Sequence, residues 1–173
     1  QLILFDVAHL VSLLVVVRHT GILSYIIDHR KAYPLILPSD LFKTKIIFLS
    51  HITSPTAIIF PIDEVCKLAK ELGIMTIIDG AHAPAQIDLN LNTLGADIYT
   101  GACHKWMLCP KGVAFLYASK KYQDKLETLV VSWGWESDTP SHSQFLDYHQ
   151  YQGTNDISTY LTVPKAISFL NQH

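Results

Sequence analysis

Two residues carry the strongest chemical suggestion in this chain: Asp79 in the stretch DGAHAP and Lys105 in GACHKW, twenty-six positions apart. Asp79 closes an apolar run, at the point where a strand end makes a carboxylate accessible. Lys105 follows a further short apolar run, in a segment of small and aromatic residues. Neighbouring strands lie ~4.8 Å apart, so loops from two strand ends can flank one flat aromatic ring. An anion at a ring nitrogen keeps it protonated and makes the ring an electron sink, while a lysine amine can hold an aldehyde. These are the two demands of a pyridoxal ring. Burial and neighbouring cations favour the uncharged, nucleophilic form of such a lysine. Each residue alone has a plainer reading, as a solvated surface lysine and as a turn or cap aspartate. Their joint occurrence in these two stretches is what narrows the chemistry.

The elements that must position them are legible as short apolar segments bounded by turn residues. Lys45–Ser50 (KIIFLS), Ile74–Asp79 (IMTIID) and Gly112–Ala118 (GVAFLYA) read as buried strands. Their continuous apolar character suits parallel strands covered on both faces. Between the first two, Asp63–Leu72 places Val65, Leu68, Ala69 and Leu72 at helical spacing, with acidic residues at its start and Gly73 as a stop. Strand, helix, strand is a βαβ unit, for which a right-handed crossover is expected. A fourth strand, Asp97–Gly101, follows Gly95, and Ile157–Leu170 has a helical pattern that Pro164 is expected to kink. The expected fold is therefore α/β, a three-layer sandwich with a mostly parallel sheet. In such sheets ligands bind beyond the carboxyl ends of the strands. That directs attention to His51–Thr56, Asp79–Pro84 and Ala102–Gly112.

Composition excludes several other classes. With 173 residues, 49% hydrophobic and 16% charged, the chain has enough apolar material for one domain with a real core. A net charge of -2 leaves no basic footprint for nucleic acid. The apolar run Leu10–Val17 reads as a buried helix or strand and is far short of the ~20 residues of a membrane helix. Cys66, Cys103 and Cys109 are odd in number and have no ligand-like spacing, which points to reduced thiols, an intracellular setting and no metal cage. No Gly-rich fingerprint follows a strand, which disfavours a nucleotide-binding module. The expected location is cytoplasmic; because the chain begins at Gln1, a preceding targeting segment stays open.

The segments SHITSPTAIIFPI, GIMTIIDGAHAPAQIDL, GADIYTGACHKW, CPKGVAFLYA, LVVSWGW and YQGTND, with ISTYLTVPKAI, together resemble class V, fold-type I pyridoxal-phosphate enzymes. Within that class they are most similar to the isopenicillin N epimerase-like branch. The resemblance covers roughly residues 45–173 in family order. It leaves residues 1–44 poorly matched and implies that residues 1–173 are part of a transferase-like large domain.

The resemblance also implies roles. Lys105 matches the Schiff-base lysine, which also moves the proton at the substrate α-carbon. Asp79 matches the carboxylate facing the pyridine nitrogen of pyridoxal 5'-phosphate, and His82 the group at its phenolic oxygen. His104 would face the phosphate, and Thr53 and Ser54 the ring's polar edge. Thr154 matches a threonine that reaches the cofactor of a neighbouring subunit, implying a homodimer with sites at the interface. The implied partner is a small-molecule amino-acid substrate, epimerised or cleaved at a C–S bond, with neither nucleic acid nor membrane as partner. Trp133 and Trp135 read as packing residues, and Cys103 and Cys109 as small buried ones.

Two departures from the family pattern stand out. Ala102 occupies a position where many relatives carry a hydrogen-bonding phosphate contact, and position 54 is Ser where many carry Asn. Arg18 and Arg30 are the chain's arginines, and both lie in the poorly matched beginning, away from a substrate-carboxylate role. The alternative is therefore a truncated, non-catalytic fragment that retains the sheet.

Overall fold

The structure, a computed structural model, describes residues 2–5, 14–18, 21–25 and 44–173. Its centre is the four-stranded run β4 (Thr44–Ser50), β5 (Met75–Asp79), β6 (Ile98–Ala102) and β7 (Ala114–Ala118). Helix α1 (Ile62–Glu71) connects β4 to β5, and the single-turn helix α2 (Leu91–Leu94) connects β5 to β6. Both strand pairs are parallel, as connections with room for a crossover allow. β7 runs antiparallel to β6, because the loop between them is too short for a helical crossover. The core is thus mostly parallel. Three further strands, β1 (Leu2–Phe5), β2 (Leu14–Arg18) and β3 (Gly21–Tyr25), extend the sheet in the order β1-β7-β6-β5-β4-β2-β3 through antiparallel pairs. The Leu10–Val17 run lies partly outside the described residues, with its end in β2, and so does most of the poorly matched beginning, Arg30 included.

Register places Leu49, Ile78, Tyr99 and Tyr117 side by side across the core strands, on one face of the sheet. This face meets Ile62, Cys66 and Ala69 of α1 in the main core, joined by Val163 and Ala166 of α5 (Val163–Leu170). On β7 the alternation of side chains turns Leu116 and Ala118 the other way. There they pack with Phe145 and Leu146 of α4 (Gln144–Gln150), so helices cover both faces. The inward stripe of α1 differs from the expected one: Leu68 and Leu72 are exposed, while Ile62, Cys66 and Ala69 are buried. Small side chains let the helix sit close to the sheet, where the Cys66 Sγ approaches Thr76 Oγ1 at 3.9 Å. Pro164 does not kink its helix. It lies in the first turn of α5, where its missing N–H removes no helical bond, after a 3-10 turn at Tyr160–Thr162.

The carboxyl ends of the parallel strands are bound to one another. His51 N–H donates to Asp79 O at 2.8 Å and Gly80 N–H to Thr100 O at 2.9 Å. The Tyr99 hydroxyl and His51 Nδ1 share a buried hydrogen bond of 2.8 Å. Gly80 lies directly on the Tyr99 ring, so that a Cβ there would fall onto the ring itself. Burial, with Asp79 nearby, raises the Tyr99 phenol above its ordinary range, and the group stays protonated. At the other end, Asp97 Oδ2 accepts from Thr76 N–H at 2.9 Å and ties β6 to β5.

Gly80→Ala should destabilise the protein by about 1–3 kcal/mol, the usual cost of overpacking a filled site. Urea unfolding would read this as a lower midpoint at unchanged slope. A second expectation concerns pH. Burial lowers the pKa of His51 below its ordinary 6.5, and Asp63 opposes this only in part. The unfolded chain therefore binds the proton first as pH falls below 6.5, and folding stability declines from there downward. His51→Asn should flatten that part of a stability-against-pH curve.

Candidate functional site

Because β4, β5 and β6 run parallel, the loops that follow them emerge at one edge of the sheet. Asp79 is the last residue of β5 and is buried, between Ser50 of β4 and Thr100 of β6 in register. The chain bends immediately after it, and Ala81 N–H donates to Asp79 Oδ1 at 3.0 Å. No other described residue donates to this carboxylate, so its second oxygen has no partner among the described residues. Ser50 Oγ is also buried and, among the described residues, has no hydrogen-bond partner.

The same bend carries His82, and the Cys103–Val113 loop between β6 and β7 brings Lys105 to it. Lys105 Nζ and His82 Nε2 are 2.9 Å apart. Trp106 Nε1–H donates to the other ring nitrogen of His82 at 3.3 Å. Burial lowers the His82 pKa, Lys105 lowers it further and Asp79 pulls it back, so the ring is neutral near neutral pH. The loop is cinched at its base, since Cys103 N–H and His104 N–H both donate to Val113 O, at 2.9 and 3.2 Å.

The other expected residues are placed differently. His104 is half-buried, and its Nδ1 lies 2.9 Å from Val113 O. A carbonyl only accepts, so Nδ1 carries the proton and Nε2 is left to face a ligand. The Thr53 hydroxyl is engaged within its own loop, accepting from Ile58 N–H at 2.9 Å and lying 2.6 Å from Thr56 Oγ1. Both contacts build the loop. Ser54 and Thr154 are exposed, and no described hydrogen bond joins Thr154 to Asp79, His82 or Lys105.

Cys103 and Cys109 are buried free thiols, and burial, reinforced by Cys109, pushes the Cys103 thiol up to about 11. Trp135 packs on Tyr148 with ring centroids 4.5 Å apart, but Trp133 is 85% exposed, against the expected packing role. Among the described residues no three His, Cys, Asp or Glu side chains form a metal-holding group, and no helix is long and apolar enough to cross a membrane.

Sequence reasoning missed three residues at this edge: Trp106, whose only signal was its place after Lys105, and the buried pair His51 and Tyr99. An aromatic at the centre of DIYTG facing a glycine after Asp79 could have signalled the second pair.

Residues 39–173 match the family described as Aminotransferase class-V. The isopenicillin N epimerase of Streptomyces clavuligerus is 37% identical over 137 residues, covering 73% of this chain and 34% of the relative. A putative L-cysteine desulfhydrase of Oryza sativa subsp. japonica is 34% identical over 133 residues, covering 75% of this chain and 26% of the relative. Among solved structures, the apo cysteine desulfurase from Thermococcus onnurineus NA1 superposes with a TM-score of 0.67 at 19% identity, over 78% of this chain and 34% of that one. The chain thus spans about a quarter to a third of the length of the relatives it matches. The matched segment includes all three loops at the carboxyl edge, and on that match the chain belongs to the class-V aminotransferase family.

Proposed function

We propose that this chain is the cofactor-holding core of a pyridoxal-phosphate enzyme that works at the α-carbon of an amino acid, by epimerisation or by C–S bond cleavage. Class-V aminotransferases and the cysteine desulfurase relatives are pyridoxal-phosphate enzymes. The observation that carries the reading is the 2.9 Å contact between Lys105 Nζ and His82 Nε2, three residues beyond the buried Asp79. The donor set fits the cofactor. Asp79 offers a carboxylate oxygen with no partner among the described residues, suited to a protonated ring nitrogen. Lys105 offers an amine from the neighbouring loop, and His82 a ring nitrogen for a phenolic oxygen. When bound, the cofactor supplies an electron sink conjugated with the substrate α-carbon.

The chain's own residues supply the rest. Asp79 is fixed by backbone bonds on both sides, and its negative charge holds a proton on the ring nitrogen. Lys105, on a flexible side chain, can leave its anchoring role and carry the α-proton. Epimerisation and C–S cleavage share this removal of the proton and diverge afterwards. The epimerase and desulfhydrase relatives support these two outcomes about equally. We also read residues 1–173 as part of the large domain of a cytoplasmic homodimer, with Thr154 reaching the neighbouring subunit's site.

A second reading, cofactor binding without turnover, is favoured by the phosphate side of the site. Ala102 has no side-chain donor, and the Thr53 hydroxyl is engaged within its loop. Phosphate binding then rests on His104 Nε2, Thr100 and backbone amides.

Pyridoxal phosphate added to the purified chain should give a visible absorbance band. Borohydride reduction followed by peptide mass spectrometry should place the adduct on Lys105, and Lys105→Met should abolish it. Asp79→Asn should weaken binding about ten- to a hundredfold, the loss of one charge-assisted hydrogen bond of ~1.5–3 kcal/mol. An adduct on another lysine would refute the assignment. Attachment at Lys105 without exchange of an amino acid's α-proton for solvent deuterium would select the second reading.

A further inference from the structure

The Trp106 indole is about half exposed, so packing alone gives a poor account of its position. Its one described polar contact is the donation of Nε1–H to His82 Nδ1 at 3.3 Å. An indole N–H can only donate, and a neutral imidazole has one donor and one acceptor nitrogen. While this bond holds, Nδ1 must be the acceptor, and the ring proton of His82 must sit on Nε2. Nε2 is the atom 2.9 Å from Lys105 Nζ. Between an imidazole N–H and an amine, the hydrogen bond forms only if the amine accepts through its lone pair.

The opposite arrangement has a Lys105 ammonium donating to Nε2, with the His82 proton on Nδ1. That sets the Nδ1–H against the Trp106 N–H, donor against donor. The two contacts of His82 therefore cannot both be satisfied unless Lys105 is the acceptor.

We propose that Trp106 is a positioning residue: it fixes the tautomer of His82 so that Nε2–H faces Lys105, ready to donate to the lysine's lone pair whenever the amine is uncharged. The uncharged form is the one in which an amine adds to a carbonyl carbon. The inference deepens the proposed reading of Lys105 and draws its purpose from it, but the tautomer is a property of the cofactor-free chain. Burial keeps the His82 ring neutral, the condition under which a tautomer choice exists, while Asp79 opposes it. Trp106 adjoins Lys105 in the loop and reaches a residue of the Asp79 bend. The two loops are thus joined through both nitrogens of one ring.

Long-range proton–nitrogen NMR correlation on histidine-labelled, cofactor-free protein distinguishes the two tautomers directly. His82→Gln would assign the resonance among the nine histidines. At pH 7.5 wild-type His82 should show a protonated Nε2 and a bare Nδ1. Trp106→Phe keeps a flat ring but removes the N–H, and should shift His82 toward the Nδ1–H tautomer. It should also slow borohydride-trapped attachment of pyridoxal phosphate at Lys105 roughly three- to tenfold, the effect of losing one neutral hydrogen bond. A wild-type His82 protonated on Nδ1, or a tautomer indifferent to Trp106→Phe, would overturn the proposal. An unchanged attachment rate would overturn its extension to Lys105. If Trp106→Phe fails to fold, the wild-type spectrum alone decides. If the chain binds no cofactor at all, the proposed function fails while the tautomer result still stands or falls on its own.

Discussion

The contact on which the site depends is the seating of the Gly80 backbone on the Tyr99 ring. β5 can bend sharply after Asp79 only because no side chain at position 80 competes with the ring beneath it. With the ring in that place, its hydroxyl reaches His51 on the end of β4, and the adjoining amides bind both neighbouring strands to the Asp79–Gly80 peptide. Three strand ends become one unit with Asp79 at its centre. Backbone bonds fix its main chain, and one amide orients its carboxylate. A fixed anion with an oxygen uncommitted among the described residues is preorganised for a cationic partner, because little reorganisation is needed when that partner arrives.

The lysine side of the site is built on the opposite principle. Lys105 extends from a loop whose base is tight, with Cys103 and Val113 buried and Gly101 lying against the Phe115 ring. The side chain itself is half-buried and is held at its tip by His82. A rigid base carrying a long side chain with several rotatable bonds suits the proposed role of holding a ligand and also moving a proton. The short loop that returns β7 antiparallel also keeps Lys105 near the β5 bend.

Much of this arrangement was legible in the sequence, for reasons that can be named. KIIFLS, IMTIID and GVAFLYA are short apolar runs with turn residues at their ends, and each corresponds to a strand within one or two residues. Asp79 and Lys105 were legible as a pair: alone they read as a turn aspartate and a surface lysine, and their joint occurrence in DGAHAP and GACHKW narrows the chemistry. What failed to show was whatever depends on contacts distant in sequence. The direction of β7 follows from loop length rather than from its own residues. The buried stripe of α1 was misread because Leu68 and Leu72 outrank Cys66 and Ala69 in hydrophobicity, yet the small residues let the helix approach the sheet. The His51–Tyr99 bond spans 48 positions, and no local pattern marks it. Thr53 looked like a free hydroxyl in HITSPT until its loop partners were seen.

The central claim is that the fixed carboxylate of Asp79 and the amine of Lys105 hold one ring between them. Its most direct test is a crystal structure of the chain grown with pyridoxal phosphate. The account predicts electron density continuous from Lys105 Nζ into the cofactor, with the ring nitrogen within hydrogen-bond distance of Asp79. Cofactor bound elsewhere on the chain, or a ring at Lys105 whose nitrogen points away from Asp79, would contradict it.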